Sequence, residues 1–306
     1  MGEYYYSLNE FLRERHGCKV MKLSLDAGFT CPNRDGKISN KGCLFCSDRG
    51  SGDFTYTKQT ITTQMQNSIK LLEGKWGDCN KYIAYFQAFT NTYAPLEELK
   101  AKYEEALSFP NVVGLAIATR ADCLSDEVIQ YLSELSKQTH LWIEIGLQTK
   151  HDQTAALINR GYTLQAFEQT IDKLKAANIE VVLHLILGLP NETKEMMLET
   201  ARYIATLGIQ GVKIHMLHIL KNSPLAKYYD LHPFTIMNED EYIELVASIL
   251  AVLPPHYVIH RLTGDGAKNE LLAPTWTLNK RHVLNFITKY LRAHNVHQGD
   301  EYMYRV

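Results

Sequence analysis

At 306 residues with 45% hydrophobic content, the chain is long enough for one large α/β domain or two ordinary ones. A formal net charge of −2 and a pI of about 6.6 exclude a global basic field that would draw in nucleic acid, so any RNA contact must be a local patch. Six cysteines, three of them bunched, do not form the dense paired framework of a small secreted domain, and no apolar run approaches the roughly 18 to 20 residues that span a bilayer. The expectation is a soluble protein of the reducing cytoplasm, with no membrane partner.

Short β-branched or aromatic runs alternate with longer helical patterns, the rhythm of repeated β-α units and a parallel sheet. After an N-terminal extension, residues 1–19, the first strand is expected over Val20–Leu25. The run Cys31-Pro-Asn-Arg-Asp-Gly-Lys-Ile-Ser-Asn-Lys-Gly-Cys43-Leu-Phe-Cys46 follows, then a helix over Thr60–Leu72. Further pairs come in order: strand Tyr82–Phe89 with helix Leu96–Ser108, strand Val112–Ala118 with helix Asp126–Lys137, and strand Leu141–Ile145 with helix Leu164–Ala177. Strand Glu180–Leu187 with helix Lys194–Leu207 and a sixth strand, Gly211–Leu217, complete the series. Ser125, Thr163 and Thr193 stand where helix N-caps belong.

These units predict an α/β fold, a partial (β/α)6 TIM-like barrel over residues 20–220, with an open doubly wound sheet as the alternative that sequence alone does not separate. Residues 221–306 read as a C-terminal α/β extension and a candidate substrate-binding region. It holds a helix near Asp240–Leu253, a strand over His256–Arg261 and a final helix over Leu278–Ala293.

Cysteine thiolates ligate soft metals and iron–sulfur clusters, and Cys43-Leu-Phe-Cys46 sets two sulfurs on one turn. Cys31, with eleven residues intervening, can fold back on the pair through a loop bearing Gly and Asn. Three ligands leave one iron of a [4Fe–4S] cluster open, whereas a structural zinc site wants four. Two other readings of the spacing stay open: a zinc knuckle completed by Cys18 or His16, and plain buried thiols. Cys18, Cys79 and Cys123 stand alone and read as packing.

Ligands of parallel α/β folds lie at the carboxyl ends of the strands. The cysteine run follows the first strand, so the other strand ends become walls of the same cavity: Gln87 and Asn91, Arg120 and Asp122, Glu144 and Gln148, His184 and Gly188, and His215. No Gly-x4-Gly-Lys phosphate loop or Gly-x-Ser-x-Gly nucleophile turn is present, and Gly50-Ser-Gly52 lacks a third glycine, which weakens kinase, serine hydrolase and nicotinamide readings. His215 and His218, three apart on a strand, face opposite sides, and His256 and His260 share a face without a carboxylate partner. Neither pair reads as a metal site; His215 reads as cavity lining. Arg261, Asp265 and Lys268 sit in a Gly-flexed loop ahead of Trp276, the make-up of a substrate-contacting lid or of a plain surface loop. Lys280, Arg281, Lys289 and Arg292 make the last helix basic, which suits a solvated face or a grip on a phosphate backbone.

With these segments in this order, the chain resembles radical S-adenosylmethionine enzymes of the branch related to the elongator catalytic subunit, and within it compact bacterial proteins of the MnmL type. The resemblance covers about residues 20–220 and rests on the cysteine loop with Phe45, Ile145-Gly-Leu-Gln148, Asn159-Arg160-Gly161 and Leu187-Gly-Leu-Pro190-Asn-Glu-Thr193. It implies that Cys31, Cys43 and Cys46 ligate a [4Fe–4S] cluster where the radical is generated, with no further catalytic residue singled out. It also implies that Phe45 packs beside the adenine of S-adenosylmethionine, that Gln148 and Arg160 contact its ribose or carboxylate, and that Gly188 lets backbone approach the adenine. Glu144 and His184 count with the cofactor-binding wall.

The chain departs from the family in three places. The cysteine spacing is longer than the commoner Cys-x3-Cys-x2-Cys; Phe86-Gln87-Ala88-Phe89 stands where many relatives carry Gly-Gly-Glu, leaving Gln87 as the substitute toward the methionine amino group; and His184 stands where Asp is frequent.

The resemblance further implies an electron donor such as flavodoxin or ferredoxin, cleavage of S-adenosylmethionine to a 5′-deoxyadenosyl radical, and hydrogen abstraction from an unactivated carbon. The implied partner is tRNA, and the implied step converts a carboxymethylaminomethyl group at carbon 5 of a wobble uridine to aminomethyl. Candidate substrate contacts are Asn91, His215, Arg261, Asp265, Lys268, Lys280 and Arg281. A small metabolite or tetrapyrrole precursor is the alternative substrate, and a non-catalytic zinc-binding interaction module is the alternative of another class.

Overall fold

The computed structural model describes residues 3–50, 55, 58–76, 80–264, 266 and 268–303, the side chains of 73–76 excepted. Asp265 and Cys79 lie outside the described residues. The strands in chain order are β1 (Val20–Leu25), β2 (Lys81–Phe86), β3 (Val112–Thr119), β4 (His140–Gln148), β5 (Glu180–Leu187), β6 (Gly211–Met216), β7 (Ile219–Leu220), β8 (Val258–Arg261) and β9 (Leu271–Ala273). The helices are α1 (Leu8–His16), α2 (Ile61–Trp76), α3 (Leu96–Ser108), α4 (Asp126–Ser136), α5 (Asp152–Leu157), α6 (Leu164–Ala176), α7 (Lys194–Ala205), α8 (Pro224–Leu231), α9 (Glu239–Val252) and α10 (Lys280–His294).

Seven strands form one parallel sheet in the order β1-β2-β3-β4-β5-β6-β8, curled into a partial barrel. The α/β expectation holds, and the open ring gains a seventh strand, β8, drawn from beyond residue 220 and paired with β6. β7 and β9 form a separate antiparallel pair. The expected strand over Tyr82–Phe89 ends at Phe86, because the chain turns at Phe89 with a φ of 58°. The expected strand over His256–Arg261 begins only at Val258.

Alternation along each strand sets two environments. Met21, Leu23 and Leu25 of β1 and Leu141, Ile143 and Ile145 of β4 join the apolar layer beneath the outer helices. Ser125, Thr163 and Thr193 cap α4, α6 and α7 through their side-chain oxygens, each contribution being about 1 kcal/mol. The inner face begins with a second apolar cluster, in which Val20, Ile83, Trp142 and Val182 pack with Leu12 of α1. Helix α1 contacts both edge strands, β1 and β8, and Ser7 bridges to Ile259. The N-terminal extension therefore plugs the barrel at the end opposite the strand carboxyl termini. Sequence periodicity did not single out α1, α5, α8 or the β7–β9 pair, which are short.

Candidate active site

The chain leaving β1 folds across the carboxyl ends of the strands. Backbone bonds from Arg34 N to Cys31 O (2.8 Å) and from Cys46 N to Cys43 O (3.1 Å) close two turns. The loop is fastened to the Asn159-Arg160-Gly161 segment: the Asn33 amide donates to the Asn159 carbonyl at 2.6 Å and to Cys43 Sγ at 3.4 Å, and Leu44 N donates to Ile158 O at 2.9 Å. Arg34 donates to the carbonyls of Cys46 and Asp48, both at 3.3 Å, and to that of Ser47, while its guanidinium lies 5.7 Å from the centre of the Phe89 ring. Burial pushes the Cys43 thiol up to about 12. The supporting roles of Asn33, Arg34 and Asn159 were not read from the sequence, although the fixed Asn-Arg-Gly turn was the available signal.

Cys31, Cys43 and Cys46 line one cavity together with Phe45, Gln87, Glu144, Gln148, Arg160, His184, His215 and Arg261. Strand ends far apart in sequence thus meet as expected of a parallel barrel. Gln148 ends β4 in the left-handed region, with a φ of 58°, and its side chain folds back over Gly146, where a Cβ would lie 2.1 Å from Gln148 Nε2. Gln148 Oε1 is buried without a partner, a vacant acceptor for a donor on a bound molecule. Gln87 accepts from Ser24 Oγ at 3.1 Å.

Below the thiols the lumen carries charge. Glu144, 1% exposed, receives Lys22 Nζ (3.0 Å) and Trp142 Nε1 (3.1 Å) on Oε1, and Lys213 Nζ (2.8 Å) and His184 Nε2 (2.7 Å) on Oε2. Lys213 also donates to Tyr85 Oη at 2.8 Å. Burial opposes the Glu144 carboxylate, but Lys213 and Lys22 outweigh it and hold the group well below the usual carboxylate range. Burial lowers both lysines, although Glu144 opposes the shift. Burial and then Lys213 bring His184 down to about 4, so its imidazole is neutral at pH 7. His215 and His260 are likewise pushed down, first by burial.

Other expected site residues either lie outside the cavity lining or line it with their donors already committed within the chain. Asn91 is fully buried outside the cavity lining, its amide donating to the carbonyls of Phe86 (3.1 Å) and Ala118 (2.9 Å), so it ties strand ends together. Arg160 reaches the cavity, but its guanidinium is committed within the chain to the carbonyls of Tyr162, Leu147 and Thr149 and to Asp152 at 3.2 Å. Arg120 is similarly held by both oxygens of Asp122, at 2.9 and 2.8 Å. Gly188, with a φ of 82°, donates its N–H to Met197 Sδ at 3.1 Å and lies just outside the lining. Lys268 is exposed before β9, and Lys280 and Arg281 begin α10; none of the three lines the cavity. Gly264 fits between His215 and His218, a Cβ there lying 3.4 Å from each ring. Cys123 lies beside Asp122, its Sγ 3.7 Å from Oδ1.

A parallel partial barrel with three thiols at its carboxyl end and a polar lumen defines a cofactor-binding barrel enzyme. The chain belongs to the radical SAM superfamily, whose model matches residues 35–204, with the radical SAM C-terminal domain matching 209–293. The superfamily match begins after Cys31, which the fold brings to the same cavity as Cys43 and Cys46. The chain is 47% identical to the uncharacterized protein YtqA of Bacillus subtilis, over 96% of this chain and 92% of that one, and 35% identical to protein YhcC of Escherichia coli, over 93% and 91%. It is 29% identical to mouse Elongator complex protein 3 over 76% of its own length and half (50%) of that protein's. The archaeal Methanocaldococcus infernus Elp3 shares the fold with a TM-score of 0.69 at 16% identity, over 91% of this chain and 64% of that one. As a radical SAM enzyme the protein uses a [4Fe–4S] cluster and S-adenosylmethionine. The residues present fit them in kind: three half-buried soft thiol donors line one cavity, and unpartnered polar atoms at Gln148 Oε1 and His215 Nε2 suit a polar ligand. Among the described residues no helix is long and apolar enough to cross a membrane.

Proposed function

We propose that the protein modifies the carbon-5 substituent of a tRNA wobble uridine, converting carboxymethylaminomethyl to aminomethyl. In this reading Cys31, Cys43 and Cys46 hold the cluster, Phe45 flanks the adenine, and Gln148 Oε1 accepts from the ribose of S-adenosylmethionine. When bound, the two groups supply a carbon radical that removes a hydrogen atom from an unactivated carbon. The chain's own part is to hold the substituent in the lumen, exclude water from below through the α1 plug and keep a neutral His215 against it.

The carbon between amine and carboxylate loses one hydrogen atom, then one electron and a proton. The electron passes to a one-electron carrier of the flavodoxin or ferredoxin class. Hydrolysis of the resulting imine leaves the aminomethyl group and releases glyoxylate. The observation that carries the reading is the joining of the three-thiol mouth to a charged lumen in a chain related to Elongator complex protein 3. The exposed Arg281 and Lys289 on α10 supply a local basic patch for RNA despite the net charge of −2. Mass spectrometry of tRNA nucleosides from the source organism with and without the gene tests it. Loss of aminomethyl-type uridine with build-up of the carboxymethylaminomethyl precursor is expected; an unchanged profile contradicts it.

A further inference from the structure

The lumen of a β/α barrel is ordinarily filled by branched apolar side chains. Here Lys213, Arg261 and Glu144 line the cavity, and Lys22 reaches the same carboxylate from beside the lining, so three basic groups have Glu144 as the one acidic residue of that lining. Lys22 and Lys213 both bind Glu144, and among the described residues the Arg261 guanidinium has no hydrogen-bond or ion-pair partner. The lumen imidazoles of His184, His215 and His260 are held neutral, first by burial, and so add nothing to the positive charge. Buried charge without a counter-ion is costly, and a chain that keeps such an excess is built to receive the missing charge from a ligand.

We propose that Lys22, Lys213 and Arg261 form an anion subsite in the barrel lumen that takes a carboxylate carried by the substrate. Depth assigns the carboxylate to substrate and not to the methionine part of S-adenosylmethionine. Lys22 stands three residues before the end of β1 and Lys213 three before the end of β6, so at strand rise their backbones sit about 10 Å below the strand ends from which the cysteine loop departs. The apolar cluster of Leu12, Val20, Ile83, Trp142 and Val182 seals the lumen beneath, so the anion enters from the cysteine side. Arg261 supplies the open guanidinium fork that suits a carboxylate. The subsite stands independently of the tRNA reading. If that reading holds, the carboxylate is the one on the carboxymethylamino group.

The test is calorimetric titration of the cluster-loaded full chain, saturated with S-adenosylmethionine, with sarcosine and with sarcosinamide, which differ only in the carboxylate. Sarcosine is expected to bind at least about tenfold more tightly. Arg261→Gln, which breaks no contact seen within the chain, is expected to bring the two affinities together, as is the charge-balanced double variant Glu144→Gln/Lys213→Met. Equal affinities in the unaltered protein, or no saturable heat from sarcosine, overturn the subsite. Competition between sarcosine and S-adenosylmethionine overturns its assignment to substrate. No RNA enters the experiment, so failure of the tRNA reading leaves its result intact.

Discussion

The side chains of Asn33 and Asn159 cross-link two segments 126 residues apart: Asn33 Nδ2 donates to the Asn159 carbonyl at 2.6 Å, and Asn159 Nδ2 returns the bond to the Gly42 carbonyl at 2.6 Å. The cysteine loop is therefore folded against the turn that follows α5. Asn159 holds a φ of 54°, which asparagine tolerates better than most residues, so one side chain meets both the backbone and the hydrogen-bond requirement.

Replacing Asn159 by glycine keeps the left-handed backbone and removes the side-chain bond. Asn159→Gly is expected to retain the fold by circular dichroism but to lose iron and labile sulfide severalfold faster on gel filtration than the unaltered protein. Equal retention would detach this cross-link from the cluster loop.

Single replacements of Cys31, Cys43 or Cys46 by alanine are expected to abolish the cluster's visible absorbance and reductive cleavage of S-adenosylmethionine. Cys18→Ala and Cys123→Ala should keep about four irons per chain. A full cluster in Cys46→Ala would remove the ligand assignment.

Gly146 tests Gln148. A methyl group at Gly146 would meet only the far end of the Gln148 side chain, at 2.1 Å, which can swing away. Gly146→Ala is expected to cost about 1 kcal/mol or less in stability, yet to raise the KM for S-adenosylmethionine about tenfold. A normal KM would place Gln148 outside cofactor binding.

Glu144 links the lumen to pH. Its folded-state carboxyl is held below the unfolded value of 4.5, chiefly against burial by Lys213 and Lys22. The unfolded chain therefore binds the proton first, and the stabilisation, complete above the unfolded value, is lost as pH falls through the folded one. Urea midpoints between pH 6 and pH 3 should fall more steeply for the unaltered protein than for Glu144→Gln. At pH 7 that variant should be less stable by about 3 to 5 kcal/mol, since two buried lysines lose their counter-ion. Parallel pH profiles would show that Glu144 carries no such coupling.

Much of the barrel was legible because strand runs such as Val20–Leu25 and Glu180–Leu187 are bounded by turn residues, and because Ser125, Thr163 and Thr193 mark helix starts through local chemistry. The cysteines announced themselves by residue type and spacing. The lumen did not. Lys22 in a short strand reads as a solvent-facing residue under period-two alternation, and only curling of the sheet turns that face inward against Glu144. For Arg160 the contact with S-adenosylmethionine is implied by the resemblance alone, and in the fold backbone carbonyls around the β4 end take up its donors. Helix α1, short and mostly polar, gains its place from tertiary packing of Leu12 and not from a long periodic pattern.

The most direct measurement incubates the cluster-loaded protein with S-adenosylmethionine, a reducing system and tRNA bearing carboxymethylaminomethyluridine, then quantifies nucleosides and 5′-deoxyadenosine by mass spectrometry. Aminomethyluridine is expected to rise as its precursor falls, with 5′-deoxyadenosine formed alongside. Formation of 5′-deoxyadenosine with every wobble uridine unchanged would contradict the proposed function.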